Sequence, residues 1–367
     1  MSRMLLGPGP SNVPERVLQA LAQPLLGHLD PAFLAVVDEV QVRLRRIFGT
    51  ENAMTLPLSA TGSAGMEACL CNLLEPGDDV VVGVAGVFGE RMCEVASRIG
   101  GRVTRVEAEW GTPLDPDAMA EAMARVRPRV AAFVHAETST GVCQPVEPIA
   151  AAAREAGVML VLDCVTSLGG IRVSLDEWGI DAAYSGTQKC LSCPPGLSPV
   201  SFSARAMQRV QSRSQPVQSW YLDLTLLAGY FGQERVYHHT APVSMVTALC
   251  EALRIVEEEG LEAREQRHRE AAAALIETLG GLGFEPLVDE AYRLPPLTTL
   301  RLPESILARG EADVRRSLLD DHGIEVGGGL GKLAGRVWRV GLMGHNARVE
   351  NVERLASALR TILGPAA

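Results

Sequence analysis

The chain has 367 residues, of which 47% are hydrophobic and 21% are charged. This composition is typical of a folded globular protein and excludes a disordered or fibrous one. The net charge of −10 at pH 7 argues against general binding to nucleic acid or anionic lipid, because these partners require a basic face. Apolar runs such as residues 158–162 are far shorter than the roughly 18 residues of a membrane span, so we expect no membrane contact.

The chain ends and the cysteines indicate a cellular compartment. The N-terminal residues show no charged stretch followed by a long apolar one, and the C-terminal residues form no targeting tripeptide, so we expect a cytoplasmic protein. Eight cysteines are too few for a disulfide scaffold in a chain of this length, and most stand among apolar residues. Cys190 and Cys193 have CxxC spacing, but without a second pair or a suitably spaced histidine they predict no metal site.

Residues 79–202 predict an α/β sheet. Short β-branched runs alternate with amphipathic stretches, which is the pattern of a mostly parallel sheet covered by helices. The predicted strands are Val80–Val84, Arg102–Val106, Val130–His135, Met159–Asp163, Ala182–Tyr184 and Pro199–Phe202. The predicted helices between them are Gly89–Ile99, Pro116–Val126 and Val146–Ala156. The strands are almost continuously apolar, so we expect both faces of the sheet to be buried.

The pattern changes after Pro242 and predicts a smaller C-terminal α+β domain. Its predicted elements are the helices Val243–Glu259, Leu261–Leu279, Glu311–His322 and Ala347–Leu363 and the strands Pro296–Leu302 and Arg336–Gly341. Gly260 separates the first two helices, as a C-terminal stop does. The sequence therefore predicts a large domain over residues 21–242, a connecting helix over 243–260 and a small domain over 261–367.

Hydroxyl-bearing residues precede a predicted helix at Ala64–Leu74. Ser59–Ser63 contains three hydroxyl side chains at the helix start, where backbone N–H groups and the helix dipole favour a phosphate. Helix capping by Ser or Thr is the alternative explanation, and it is the commoner one for such a segment taken alone. The segment matches neither a Walker loop nor the three-glycine dinucleotide motif.

Three further residues carry potential chemistry. Asp163 ends the most apolar predicted strand, where a buried carboxylate requires a cationic partner. Lys189 follows another strand in a segment with no other charged residue nearby, which favours a desolvated, nucleophilic amine. Arg339 lies on a short apolar strand and is suited to a bidentate grip on a carboxylate. Together with the hydroxyl-rich helix start, these residues are the parts that pyridoxal phosphate (PLP) chemistry requires.

Several segments then identify a family. Over essentially its whole length the sequence resembles the class V, fold-type I PLP aminotransferases, and within them the alanine–glyoxylate and serine–pyruvate aminotransferases. The segments that carry the resemblance are Leu6–Asn12, Leu74–Asp78, Glu137–Val142, Asp163–Gly170, Ser185–Lys189, Tyr237–Thr240 and Arg339–Leu342. The Tyr-His-His-Thr segment at 237–240 is the most characteristic of these.

The resemblance implies a role for each matching residue. Lys189 would form the Schiff base with PLP, Asp163 would pair with the pyridine nitrogen, and Phe88 would stack on the ring. Phosphate ligands would be Thr61, Gly62, Ser63 and Gln188, joined by Tyr237 and Thr240 from the other subunit of a homodimer. Thr138 would lie close to the ring, and Arg339 would hold the substrate carboxylate. Gly9 and Ser167 would line the substrate pocket, which brings the N-terminal segment 1–20 near that pocket.

Two positions depart from the family pattern. Ser63 stands where His is common and Phe88 where Trp is common, but the hydroxyl and the aromatic face preserve the roles. We therefore expect a changed cofactor affinity and a retained function. No metal is expected in the site.

The implied activity is a ping-pong transfer of the amino group from a small L-amino acid, alanine or serine, to glyoxylate or pyruvate. Ureidoglycine–glyoxylate, hydroxykynurenine and aminoethylphosphonate transaminases are open alternatives, because they differ mainly in pocket residues. A cysteine desulfurase or related lyase is disfavoured, since Gln188 rather than His precedes Lys189 and no cysteine follows Cys250. A binding module without turnover is disfavoured by the presence of Arg339.

Overall fold

A computed structural model describes residues 3–232 and 234–364. Residues 1–2 of the predicted N-terminal segment 1–20 and residues 365–367 of the predicted small domain 261–367 lie outside the described residues. Its strands, in chain order, are β1 (Met4–Leu6), β2 (Met54–Leu58), β3 (Asp79–Val84), β4 (Arg102–Glu107), β5 (Val130–Val134), β6 (Ala136–Glu137), β7 (Val142–Cys143), β8 (Met159–Asp163), β9 (Ala182–Tyr184), β10 (Ser198–Phe202), β11 (Glu285–Pro286), β12 (Leu297–Arg301), β13 (Ile324–Gly328) and β14 (Val337–Gly341). Its α-helices are α1 (Glu15–Leu21), α2 (Pro31–Phe48), α3 (Gly62–Leu73), α4 (Val87–Arg98), α5 (Pro116–Val126), α6 (Glu147–Glu155), α7 (Leu175–Trp178), α8 (Ala204–Gln211), α9 (Leu224–Phe231), α10 (Val243–Glu259), α11 (Leu261–Gly280), α12 (Glu304–Leu307), α13 (Glu311–His322) and α14 (Val349–Leu363).

The large sheet confirms the predicted α/β class. Its strand order in the described residues is β2-β10-β9-β8-β5-β3-β4. Strands β4, β3, β5, β8 and β9 pair in parallel, and β10 runs antiparallel to both of its neighbours. Every residue of β5, β8 and β9 is buried, as their apolar sequences predict. The carboxyl ends of these parallel strands therefore meet at one edge of the sheet, where open α/β sheets bind their ligands.

The smaller sheet pairs the N-terminal strand β1 with strands from the C-terminal part of the chain. Its order is β1-β13-β14-β12-β11, and β1 pairs in parallel with β13. Buried apolar residues from β1 pack in the same cluster as those of α11, α13 and α14. A second and larger cluster surrounds the seven-stranded sheet and extends from Val17 to Val256. The N-terminal segment thus belongs to the small sheet by its hydrogen bonds.

Six of the described strands, β1, β2, β6, β7, β11 and β13, are absent from the sequence-based prediction. Strand β2 contains Pro57 and β13 ends in Gly327–Gly328, and Pro and Gly both weaken a strand pattern. Strand β2 is an edge strand paired only with β10, which is where Pro is tolerated. Among the described residues, no helix has the length and apolarity to cross a bilayer.

Candidate active site

Lys189 lies in the turn that follows β9, at the carboxyl edge of the large sheet. The residue is 8% exposed, and burial lowers the pKa of its amine to about 8. Its Nζ donates a hydrogen bond to the Pro8 carbonyl oxygen. Gly9 has a φ of +106°, and a Cβ there would lie 2.6 Å from Nζ. The N-terminal segment therefore packs directly on a buried and partly deprotonated lysine.

Asp163 ends β8 and is 2% exposed. Its Oδ1 accepts a hydrogen bond from the Val165 N–H at 2.7 Å, and its Oδ2 accepts one from the Tyr184 hydroxyl at 2.7 Å. Burial raises the pKa of this carboxyl to about 7, and the two hydrogen bonds oppose that rise. The site thus contains a buried carboxyl whose ionisation depends on its donors.

The start of α3 lies against the turn that leads to Lys189. A Cβ on Gly62 would be 3.3 Å from the Ser185 carbonyl oxygen and 3.5 Å from Gly186 Cα. Thr61 occupies the N-cap position, but its side chain makes no capping hydrogen bond. The capping alternative therefore does not describe the Thr61 side chain, although the Thr61 carbonyl oxygen accepts from the Ala64 N–H at 2.8 Å.

Three buried side-chain oxygens near these elements have no hydrogen-bond partner among residues 3–232 and 234–364. They are Ser59 Oγ, Ser167 Oγ and Gln188 Oε1. Buried polar atoms are normally paired in folded proteins. These unpaired atoms mark the loops after β2, β8 and β9 as polar and suited to a ligand.

Glu137 connects the predicted site residue Phe88 to Ser139. Its Oε2 accepts a hydrogen bond from the Phe88 N–H at 3.2 Å, and its Oε1 accepts two from Ser139 at 3.0 and 2.6 Å. The side chain is almost fully buried, which raises its pKa. Sequence reasoning assigned Glu137 no role, although it is the one Asp, Glu, Lys or Arg between Arg129 and Glu147. A lone charge in an apolar segment was the available signal.

Arg339 lies on β14 of the small sheet and contacts the segment between β6 and β7 of the large domain. Its Nε donates to the Gly328 carbonyl oxygen at 2.8 Å and its Nη1 to the Thr138 carbonyl oxygen at 3.2 Å. The residue is 7% exposed, so it is not a surface arginine. Burial lowers its pKa, the Glu137 carboxylate raises it, and the cation in turn lowers the pKa of Lys189. The predicted substrate arginine is therefore a buried cation close to the lysine.

The remaining predicted residues are placed differently. Tyr237 is 56% exposed and its hydroxyl lies 3.4 Å from the Thr240 hydroxyl. Among the described residues, no hydrogen bond joins either side chain to the group around Lys189. Ser167 is fully buried in the turn after β8, and it is the neighbouring Gly170 that packs against Cys190. The fold thus brings Gly9, Asp163, Lys189, Thr138 and Arg339 together within one chain, and it leaves Tyr237 and Thr240 at the surface.

The two CxxC cysteines are buried. Cys190 and Cys193 are buried free thiols, and burial raises the pKa of each to about 12. In the part of the chain that the structure describes, no group of three metal-ligating side chains occurs. These thiols are protonated at neutral pH and pack as small apolar groups.

The chain is similar to known aminotransferases over nearly its whole length. The family model described as Aminotransferase class-V matches residues 3–355. The chain is 43% identical to an alanine–glyoxylate aminotransferase of Oryctolagus cuniculus, over 98% of this chain and 92% of the relative. It is 38% identical to an (S)-ureidoglycine–glyoxylate transaminase of Bacillus subtilis, over 98% of this chain and 90% of the relative. The crystal structure of an alanine–glyoxylate aminotransferase from Nostoc sp. matches with a TM-score of 0.96 and 50% identity, over 99% of this chain and 96% of that one. The chain therefore belongs to the class V aminotransferases.

Proposed function

We propose that this aminotransferase uses PLP to move the amino group of a small L-amino acid, alanine or serine, to a small 2-oxo acid, glyoxylate or pyruvate. The observation that carries the proposal is the buried amine of Lys189, with Gly9 against its side chain and the cation of Arg339 nearby. With a pKa of about 8, a larger fraction of this amine is uncharged at neutral pH than in a solvated lysine, and the uncharged amine is the nucleophile and the base.

The residues present fit PLP. The free side chain of Thr61, the unpaired Oγ of Ser59 and the start of α3 offer donors for a phosphate group. Gln188 adds a polar side chain near this helix start. Its Oε1 would lie 2.8 Å from a Cβ on Gly186, and Gly186 in turn packs against Gly62 of α3. Asp163 offers an acceptor for a protonated ring nitrogen. When bound, PLP withdraws electrons from the substrate α carbon.

The chain's own residues would then divide the work. Lys189 would bond to the cofactor at rest and move a proton to and from the substrate α carbon during turnover. Arg339 would bind the substrate carboxylate, and its tie to the Thr138 carbonyl oxygen would hold the guanidinium in place. Glu137 would hold the Phe88 backbone so that the ring of Phe88 covers one face of the cofactor. Burial of Lys189 and Arg339 would keep water from the reacting atoms.

The two named relatives support glyoxylate as the amino acceptor, because glyoxylate occurs in both names. They differ in the amino donor, which is alanine in one name and (S)-ureidoglycine in the other. We favour the smaller donor because of the higher identity to the alanine–glyoxylate enzymes, 43% against 38%. A ureidoglycine–glyoxylate transaminase is the alternative.

A half-reaction tests this proposal. Purified protein loaded with PLP is mixed with L-alanine, L-serine or (S)-ureidoglycine without any acceptor, and the released keto acid is quantified. A ping-pong enzyme releases one equivalent per subunit and then stops until glyoxylate is added. Lys189→Ala is the control and should release none. Keto acid formation that does not depend on Lys189 would refute the mechanism, and release of sulfur from L-cysteine would indicate a lyase.

We also propose that the active unit is a homodimer in which Tyr237 and Thr240 complete the phosphate site of the partner. Their exposure supports this, as do the exposed apolar side chains of Leu25, Trp220 and Val236, which are 74%, 62% and 54% exposed. Mixing Lys189→Ala chains with chains that carry both Tyr237→Ala and Thr240→Ala should restore part of the activity, because one site of each mixed dimer is then intact. Mixed samples as inactive as their components, although dimeric by light scattering, would contradict the proposal.

A further inference from the structure

Tyr184 makes a buried hydrogen bond to Asp163 that the reaction scheme above does not use. The two residues are register partners on the parallel strands β8 and β9. The Tyr184 hydroxyl donates to Asp163 Oδ2 at 2.7 Å, and the two residues are 1% and 2% exposed. Tyr184 is also packed from the other side, since a Cβ on Gly65 of α3 would lie 2.9 Å from Tyr184 Cβ. The phenol therefore has little freedom to point elsewhere.

We propose that Tyr184 is a positioning residue for the reaction, whose hydroxyl keeps the Asp163 carboxyl ionised and oriented so that it can hold the pyridine nitrogen. This inference rests on the proposed function. A carboxylate has about four acceptor sites, and Tyr184 and the Val165 N–H occupy two of them. Acceptor sites therefore remain for a protonated ring nitrogen while both donors are in place.

The surroundings of Asp163 explain why it needs this donor. Burial is the main cause that raises the pKa of its carboxyl to about 7, and the nearby Glu137 carboxylate raises it further. The Tyr184 hydroxyl, the Val165 N–H and the Lys189 amine oppose this rise. The thiols of Cys69 and Cys164 also face the group, and burial keeps both protonated. Loss of the Tyr184 hydroxyl raises the pKa of Asp163 further, so that the carboxyl is mostly protonated at neutral pH and pairs less strongly with a protonated ring nitrogen.

The test measures the protonation of the ring nitrogen. The holoenzyme is prepared with PLP labelled with ¹⁵N in the ring, and the ¹⁵N chemical shift is followed against pH in the wild type and in Tyr184→Phe. We expect the variant to lose the nitrogen-bound proton at a pH lower by about one to two units, the equivalent of one charge-assisted hydrogen bond. The kcat should fall while the KM for the amino acid stays within about threefold, because Tyr184 does not contact Arg339.

Two controls separate this role from a structural one. Tyr230→Phe removes another buried hydroxyl, which donates to the His28 carbonyl oxygen at 2.7 Å, and it should leave the ring nitrogen unchanged. Wild-type chains containing 3-fluorotyrosine need no substitution and present a more acidic phenol, which is a stronger donor. In that protein the nitrogen should stay protonated to a higher pH, so the test stands even if Tyr184→Phe does not fold.

The outcomes are distinct. If PLP binds through Lys189 and the ¹⁵N titration is the same in the wild type, Tyr184→Phe and the fluorotyrosine protein, the role of Tyr184 is wrong and the proposed function stands. With a Tyr184→Phe that does not fold, an unchanged fluorotyrosine titration alone overturns the role. A wild type that binds no PLP would overturn both.

Discussion

Replacing Gly9 by alanine is a direct test of how closely the N-terminal segment packs on Lys189. A Cβ at this position would lie 2.6, 2.7 and 2.9 Å from Nζ, Cδ and Cε of the lysine. These distances are about 0.5–0.8 Å short of a 3.4 Å contact, so the lysine side chain must move by roughly that amount. The φ of +106° adds backbone strain of about 1–3 kcal/mol for a residue with a Cβ.

A displacement of about 1 Å at a catalytic group costs on the order of a hundredfold in rate. We therefore expect Gly9→Ala to lower kcat for transamination by about ten- to a hundredfold. Gly7→Ala is the matched control, because a Cβ there meets its nearest atom at 3.4 Å and Gly7 does not have a positive φ. The assay is steady-state kinetics with thermal unfolding of both variants. A Gly9→Ala enzyme with the kcat of Gly7→Ala would show that the segment does not constrain Lys189.

Three further predictions concern Arg339, Glu137 and His268. Arg339→Lys should raise the KM for the amino acid by about tenfold or more, because a lysine lacks the bidentate fork of an arginine. The control is Arg336→Lys, since Arg336 is exposed. An equal KM in both variants would contradict the binding of the substrate carboxylate by Arg339. Glu137→Gln should weaken PLP binding by about tenfold, since the Phe88 N–H loses a charged acceptor; unchanged affinity in an absorbance titration would contradict this. His268 accepts from the Gly344 N–H at 2.9 Å, and burial lowers its pKa from 6.5 to about 3. As pH falls, His268 is protonated near pH 6.5 in the unfolded chain, whereas in the folded chain it stays neutral down to about pH 3. The free energy of unfolding should therefore decrease between these two pH values, by up to about 5 kcal/mol. Urea unfolding of His268→Gln should show a flatter pH dependence, and an equal slope would refute the account.

Local sequence patterns predicted the elements whose signals are short-range. Helices α5, α10 and α13 begin and end where the sequence predicts, because Pro, Gly and the apolar spacing act within a few residues. The strand Met159–Asp163 was predicted to the residue for the same reason, since five apolar or strand-ending positions stand together. Strands β1 and β13 pair across more than 300 residues of chain, and no local pattern predicts such a pairing.

The sequence by itself determined the family and the α/β class, because motifs such as Ser185–Lys189 are contiguous in the chain, and it predicted the candidate site residues. The tertiary structure decided the environment of those residues. Segments that are distant in the sequence bury Lys189, Asp163 and Arg339. This burial lowers the pKa of Lys189 and of Arg339 and raises the pKa of Asp163. Tyr184 and Glu137 acquire their contacts with Asp163 and Phe88 in the same way, through strand pairing and helix packing. Side-chain ionisation depends on the local dielectric and on neighbouring charges, and these are properties of the folded chain.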